Sequence, residues 1–221
     1  MSRIYKNRRE AAERLAAALS AYRGKNPLVL GIPRGGVAMA ATIARVLDGE
    51  LDVVLVHKLG APGQPEFAIG AEDESGRVYR SGAAGRLGIS EAYIERERRA
   101  QSEMLRRRRA LYTPVRPPIP AAGRIVIVVD DGLATGATML SALGALREQQ
   151  PARRVAAAAV ASADALALVE AEADETVCLQ APSFFLAVGQ FFEDFGPVED
   201  EEVIRLLGAS RKDQEQREGA H

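Results

Sequence analysis

The sequence predicts an α/β fold, a parallel twisted sheet with helices on both faces, and three observations lead there. The run Ile125-Val126-Ile127-Val128-Val129 is unbroken and β-branched, with no polar face, as fits a strand buried on both sides. Short apolar runs of this kind alternate along the chain with helix-forming segments, the pattern of a parallel sheet. Two of the runs end in small-residue loops, Pro33-Arg34-Gly35-Gly36 and the stretch after Asp130-Asp131. In such sheets ligands bind at the carboxyl ends of the strands, so both loops can face one ligand.

The elements follow in order. Residues 8 to 22 carry Leu15, Leu19 and Tyr22 among alanines, with Arg and Glu between, an amphipathic helix that Gly24 and Pro27 end. Leu28 to Ile32 is a short buried strand, Val37 to Leu47 a helix, and Asp52 to Val56 another strand. Gly60-Ala61-Pro62-Gly63-Gln64-Pro65 is loop-forming, residues 66–71 form a short strand, and Arg77-Val78-Tyr79 returns as a hairpin. Ile89 to Thr113 is a long, partly exposed helix rich in Arg and Glu, N-capped by Ser90. Thr113 to Pro120 is a proline-rich linker back to the main sheet. Met139 to Arg147 is a helix, 154 to 160 a strand, 163 to 173 a helix and 176 to 180 a strand. Five of the six phenylalanines fall between Phe184 and Phe195, beside Pro and Gly, as in a cover over an apolar pocket. Residues 199 to 208 form a short terminal helix, and the polar residues 209–221 are expected to be a disordered tail.

A length of 221 residues suits one domain with additions, here residues 1–208. The formal net charge of −1 gives no sign of a nucleic-acid or acidic-membrane partner. The run Arg106 to Arg109 is read as a solvated face or a subunit contact, which leaves a homodimer open. The single cysteine, Cys178, cannot form an internal disulfide, which fits a reducing, cytoplasmic setting. Two histidines exclude a His-rich metal site, and no apolar run approaches membrane-spanning length.

The acidic pair and its loop carry the chemistry. The open amides of a helix N-terminus attract a phosphate, and Gly132, Ala134, Gly136 and Ala137 leave the backbone bare enough to close around it. Thr135 and Thr138 add hydroxyl donors. Carboxylates beside a phosphate would repel it unless they face something else, and the natural partners are a pair of ribose hydroxyls and a magnesium ion. The loop after Gly31 has the glycine spacing of a Walker A motif but lacks its Lys and Ser/Thr. In Pro33-Arg34-Gly35-Gly36 the glycines admit a close ligand, and Arg34 offers a forked cation suited to phosphate oxygens.

The segment Val128-Val129-Asp130-Asp131-Gly132-Leu133-Ala134-Thr135-Gly136-Ala137-Thr138 resembles the phosphoribosyl-pyrophosphate (PRPP) motif of type I phosphoribosyltransferases. The resemblance implies that Asp130 and Asp131 hold the ribose 2′- and 3′-hydroxyls and Mg²⁺, while Gly132, Leu133, Ala134, Thr135, Gly136, Ala137 and Thr138 hold the 5′-phosphate. It implies that Arg34, Gly35 and Gly36 bind pyrophosphate, with a cis peptide near Arg34-Gly35. Lys58 would neutralise the leaving pyrophosphate, and Glu66 is the candidate acid or base, in a mobile loop that excludes water. His57 is read as a histidine satisfied at a strand end. The aromatic cover, about 181–198, corresponds to the family's hood, with Val188, Phe192 and Asp194 toward a base.

Two positions depart from members that act on 6-oxopurines, Ala134 in the phosphate loop and Ala161-Ser162 after the next strand, so that acceptor class is not expected. The expected activity is transfer of 5-phosphoribosyl from PRPP to a nitrogenous acceptor. The alternative is a PRPP- or nucleotide-sensing regulatory protein of the same fold that binds nucleic acid or a protein partner, with the Arg-rich helix as its main support. A sugar-phosphate hydrolase is disfavoured because no water-activating dyad is evident.

Overall fold

Side chains of successive residues in the central strand go to opposite layers, and both layers are apolar. This is seen in a computed structural model that describes residues 4–73, 76, 78–80 and 88–219. The side chains of residues 64–68, 79–80, 100–101 and 217–218, all within helices or strands, lie outside that description. The elements in chain order are α1 (Arg8–Ala18), β1 (Leu28–Gly31), α2 (Gly35–Leu47), β2 (Glu50–Val53), β3 (Val56–Ala61), β4 (Gln64–Asp73), β5 (Val78–Arg80) and α3 (Glu91–Tyr112). There follow β6 (Ile125–Leu133), α4 (Ala137–Arg147), β7 (Arg153–Ala161), α5 (Ala163–Glu170), β8 (Glu175–Gln180) and α6 (Asp200–Glu218).

The main sheet has the order β2-β1-β6-β7-β8, with every neighbouring pair parallel. Ile127 and Val129 of β6 join Val155 and Ala157 of β7 under α1, α2 and α6. Val126 and Val128, with Ala156 and Ala158, face Met139, Leu143 and Leu146 of α4 and Ala165 and Val169 of α5. Full burial of each Val or Leu contributes about 1.5–3 kcal/mol, which is why a strand with no polar face is stable only here. The order of the strands also sets the site: β1 and β6 are neighbours, so the loops at their carboxyl ends lie side by side.

The insertion after β2 is a second, antiparallel sheet of order β3-β4-β5. The expected strand 52–56 is therefore split, with β2 ending at Val53 and Val56 opening β3. The expected loop shrinks to the turn at Pro62-Gly63, where Gly63 takes a φ of 72°. Leu59, Ala61 and Ile69 of this sheet pack on Ile94 of α3, and β3 and β4 also pack against α4. Ser90 caps α3 as expected, its Oγ accepting from the Tyr93 amide at 3.3 Å.

One expectation is corrected at the C-terminus. The helix does not stop at residue 208: α6 runs to Glu218. Residues 209–218 contain neither Gly nor Pro, and Arg211 pairs with Glu215 one turn on at 2.8 Å. Gln214 accepts from Arg116 Nη2 at 2.8 Å and donates to Glu50, which ties this segment to the linker and to β2. Among the described residues no helix is long and apolar enough to cross a membrane.

Candidate active site

Strand β6 continues past its acids to Leu133, rather than ending in them. Gly132 and Leu133 remain in register with Val160 and Ala161 of β7, and the Leu133 side chain is buried. These two residues therefore shape the floor, and the loop proper is Ala134-Thr135-Gly136. Gly132 has a packing reason: a β-carbon there would meet Val188 Cγ1 at 2.5 Å. Gly136 has a conformational one, a φ of 73° immediately before α4. Ser162 binds the loop from below, its Oγ donating to the Ala134 carbonyl at 2.8 Å and its amide to the Leu133 carbonyl at 2.9 Å.

Gly136 can offer no capping side chain, so the first-turn amides of α4 are left to an outside acceptor. The Thr135 hydroxyl reaches the Ala137 amide only at 3.4 Å. Ala134, Thr135 and Thr138 are exposed, whereas Ala137 is buried and contributes through its backbone. Bare amides and two exposed hydroxyls make an anion cradle.

Beside the cradle, Asp130 Oδ1 accepts the Asp131 amide at 2.8 Å. Burial first, and then repulsion from Asp131, push the Asp130 carboxyl well above the ordinary range; the Asp131 amide and the Arg8 charge pull the other way. Asp131 Oδ2 accepts from Arg8 Nε at 2.9 Å, both side chains being mostly buried at 14% and 15% exposure. Arg8 is the cation that acts on both acids, so the pair favours a further cation or hydroxyl donors. Among the described residues no group of three or more His, Cys, Asp or Glu could hold a metal. Two hard oxygen ligands fit magnesium with water or a bound phosphate completing its shell.

The glycine loop after β1 lies against this pair. A β-carbon on Gly35 would fall 2.2 Å from Asp131 Oδ2, and one on Gly36 2.4 Å from the Val129 carbonyl oxygen. A cis peptide is present at Pro33-Arg34, one bond before the expected position. Arg34 Nη1 donates to Glu199 Oε2 at 2.6 Å, a half-exposed pair that joins residues 165 positions apart. Arg34, Gly35, Gly36, Asp130, Asp131 and the loop 134–138 thus form one contiguous region.

Other expected residues lie on the small antiparallel sheet. Lys58 is half-buried in mid-strand β3, opposite Ala71, rather than in a loop past a strand end. Glu66 lies on β4, but its side chain is outside the described residues. His57 sits opposite Glu72; burial lowers its pKa, while Glu72 and Glu97 act against that. Glu72 is fully buried and accepts from Ser102 Oγ at 2.6 Å and Arg98 Nε at 3.0 Å.

The arginines of α3 are mostly engaged. Arg98 and Arg109 turn inward to Glu72 and Asp52, Arg108 reaches Asp200, and Arg99 and Arg107 pair with glutamates of their own helix.

In the hood, Val188 lies over Gly132 and so borders the site. Phe192 is corrected from a base contact to a core residue: it is 6% exposed, stacked on Phe195 at 4.9 Å and against Tyr5 at 5.6 Å. Asp194 is exposed, and its Oδ1 accepts from the Gly196 amide at 3.3 Å. Gln190 folds the hood turn, accepting from the Leu186 and Ala187 amides and donating to the Phe184 carbonyl. That turn leaves Phe184 and Leu186 as exposed apolar groups, at 68% and 74%.

Arg8 was not expected at all, since nothing near it in sequence marks it as more than a helix residue. Its partner on β6 is 123 positions away.

A family model described as phosphoribosyl transferase domain matches residues 1–195. The solved structure of TT1426 from Thermus thermophilus is similar at a TM-score of 0.88 and 46% identity, over 93% of this chain and 98% of that one. Two curated relatives from Mycobacterium tuberculosis carry the name "Putative phosphoribosyl transferase", MT0597 in strain CDC 1551 / Oshkosh and Rv0571c in strain H37Rv. Each is 38% identical over 96% of this chain and 48% of its own length, so the chain spans about half the length of these relatives. With the acidic motif, the glycine loop and the parallel sheet between them, the chain belongs to the phosphoribosyl transferase domain family.

Proposed function

We propose that this chain transfers the 5-phosphoribosyl group of PRPP to a nitrogenous acceptor and releases pyrophosphate. The observation behind this reading is the contact of the glycine loop with the acidic pair, with an anion cradle next along the chain, which suits a diphosphate, a diol and a 5′-phosphate in turn. Asp130 and Asp131 would hold the 2′- and 3′-hydroxyls. The amides and hydroxyls of Ala134, Thr135, Gly136, Ala137 and Thr138 would hold the 5′-phosphate. Arg34 and the amides of Gly35 and Gly36 would hold the pyrophosphate, and Lys58 on β3 stays the candidate for neutralising it as it leaves.

The C1–oxygen bond to pyrophosphate breaks, the electron pair leaves with that oxygen, and the acceptor nitrogen forms the new bond to C1. The anionic pair offsets positive charge on the ribose during that step. Asp130 and Asp131 would hold Mg²⁺, which when bound would supply neutralisation of the leaving pyrophosphate. Glu66 stays the candidate for taking the acceptor proton. Val188, with Asp194 nearby and Phe184 and Leu186 at the hood tip, would line the acceptor side. The lone Cys178 suits a reducing compartment such as the cytoplasm.

Engagement of the α3 arginines with Glu72, Asp52 and Asp200 draws support away from a nucleic-acid-binding regulator. A screen for magnesium-dependent pyrophosphate release from PRPP across nitrogenous acceptors tests the reading. Turnover that disappears in Asp131→Ala is expected. An Asp131→Ala protein with unchanged PRPP affinity would contradict the assignment.

A further inference from the structure

Arg8 touches several parts of the site at once. Its Nε donates to Asp131 Oδ2 at 2.9 Å, its Nη1 donates to the Gly196 carbonyl at 2.7 Å, and its Cζ lies 3.9 Å from the centre of the Phe195 ring. Its Nε is also 3.2 Å from where a Gly35 β-carbon would be. The guanidinium therefore joins the acidic end of β6, the start of α2 and the hood. Its own backbone is anchored on the hood side. The Tyr5 amide donates to the Phe191 carbonyl at 2.8 Å, the Glu193 amide to the Tyr5 carbonyl at 2.8 Å, and the Asp194 amide to the Lys6 carbonyl at 2.9 Å. Asn7 then caps α1, its Oδ1 accepting from the Glu10 amide at 3.1 Å, and Arg8 is the first helical residue.

We propose that Arg8 is the positioning residue of the diol-binding carboxylate: it occupies Oδ2 of Asp131, leaves Oδ1 for the ligand, and fastens the hood to that arrangement. The ligand is a vicinal diol on a phosphorylated pentose, so this inference rests on the PRPP reading. Arg8 acts through Asp131 and the hood and needs no contact with the substrate. A planar fork suits the task, because one cation serves a carboxylate, a carbonyl and a ring face in fixed directions; the ammonium of a lysine, a point charge on a flexible stem, holds no such fixed geometry. The pair is held in place because it is mostly buried, where an ion pair is screened far less than at the surface.

The test compares magnesium–PRPP with magnesium pyrophosphate, which has no diol, as titrants of the ligand-free protein. Wild type, Arg8→Ala, Arg8→Lys and Arg9→Ala are measured by calorimetry. Arg9 is the control, because its guanidinium is exposed and pairs with Glu13 on its own helix. Arg8→Ala is expected to lose PRPP affinity by about tenfold or more, the scale of one charge-assisted hydrogen bond. Pyrophosphate affinity is expected to stay within about twofold, since its subsite keeps its own groups. Arg8→Lys should fall between wild type and Arg8→Ala, and it decides the matter if Arg8→Ala does not fold. Arg9→Ala should match wild type.

Equal PRPP affinity in wild type and Arg8→Ala would overturn the proposal, as would equal losses for both titrants, which would mark a merely structural role. A wild-type protein that binds no PRPP would instead refute the PRPP reading, so the two failures are distinguishable.

Discussion

Gly35 and Asp131 are in contact through space that no side chain could occupy. The Asp131 Oδ2 stands 2.2 Å from the position a β-carbon on Gly35 would take, and Cγ stands 3.1 Å from it. The glycine loop and the second acid are thus packed as one surface, and the glycine is what lets them meet.

Gly35→Ala should separate binding from stability. The methyl group must push the Asp131 carboxylate aside, which should weaken PRPP binding by about tenfold or more if one charge-assisted hydrogen bond to the diol is lost. Gly35 is the first residue of α2, and alanine inside a helix is favoured over glycine by roughly 0.5–1 kcal/mol, which offsets part of the clash. Calorimetric titration and thermal unfolding of the same sample check this. A fall in melting temperature with intact PRPP affinity would contradict it.

Glu199 holds the guanidinium of Arg34, the group proposed for pyrophosphate. Their 2.6 Å pair is exposed, so its loss should change stability by only about 0–1 kcal/mol. In Glu199→Gln the guanidinium is released, and pyrophosphate should bind more tightly at low salt, with the gain fading as salt is raised. Weaker binding would show that Glu199 orients Arg34 instead of occupying it.

The small sheet is held to α3 by a buried carboxylate. Glu72 accepts from both Ser102 and Arg98, and its Oε2 has no hydrogen-bond partner among the described residues. Ser102→Ala should destabilise the protein by about 1–3 kcal/mol, because it removes a donor from a desolvated charge. Arg98→Ala should cost more, since it strips the counter-charge from a buried anion. Urea unfolding of both variants gives the order, and Ser102→Ala costing more than Arg98→Ala would refute it.

His57 sets a pH dependence on the same sheet. Burial lowers its folded pKa below 6.5, Glu72 and Glu97 partly opposing and Lys58 assisting. The unfolded chain therefore binds the proton more readily than the folded one. No stability is lost on this account well above pH 6.5; it is lost as pH falls through 6.5 toward the folded value, and the loss levels off below it. His57→Gln should flatten the stability profile across that window. Melting temperatures of both proteins, followed from the alkaline to the acid side of pH 6.5, that fall in parallel would refute this.

Much of the site was legible because its signals are local. Asp130 and Asp131 follow an apolar run in immediate succession, and small residues and hydroxyls follow them at once, so strand, acid pair and loop are read in one stretch; that β6 continues to Leu133 is not, because its last residues are held by pairing with β7. The Ser90 cap of α3 is written within three residues. Phe192 was misread because an aromatic looks the same in sequence whether it meets a ligand or, as here, Tyr5 and Phe195. The helical continuation past residue 208 was missed because a polar composition signals disorder unless distant groups, here Glu50 and Arg116, hold it.

The sequence by itself determined the doubly covered parallel sheet and the residue types at the ends of β1 and β6. Periodicity and turn chemistry act over a few residues, and those features need nothing more. Tertiary structure alone decided that Arg8 meets Asp131, that Glu199 meets Arg34, and that the hood closes on Tyr5. Each of these joins groups far apart along the chain, and such pairs are chosen by the packing of α1 and α6 on the sheet, which no local pattern encodes.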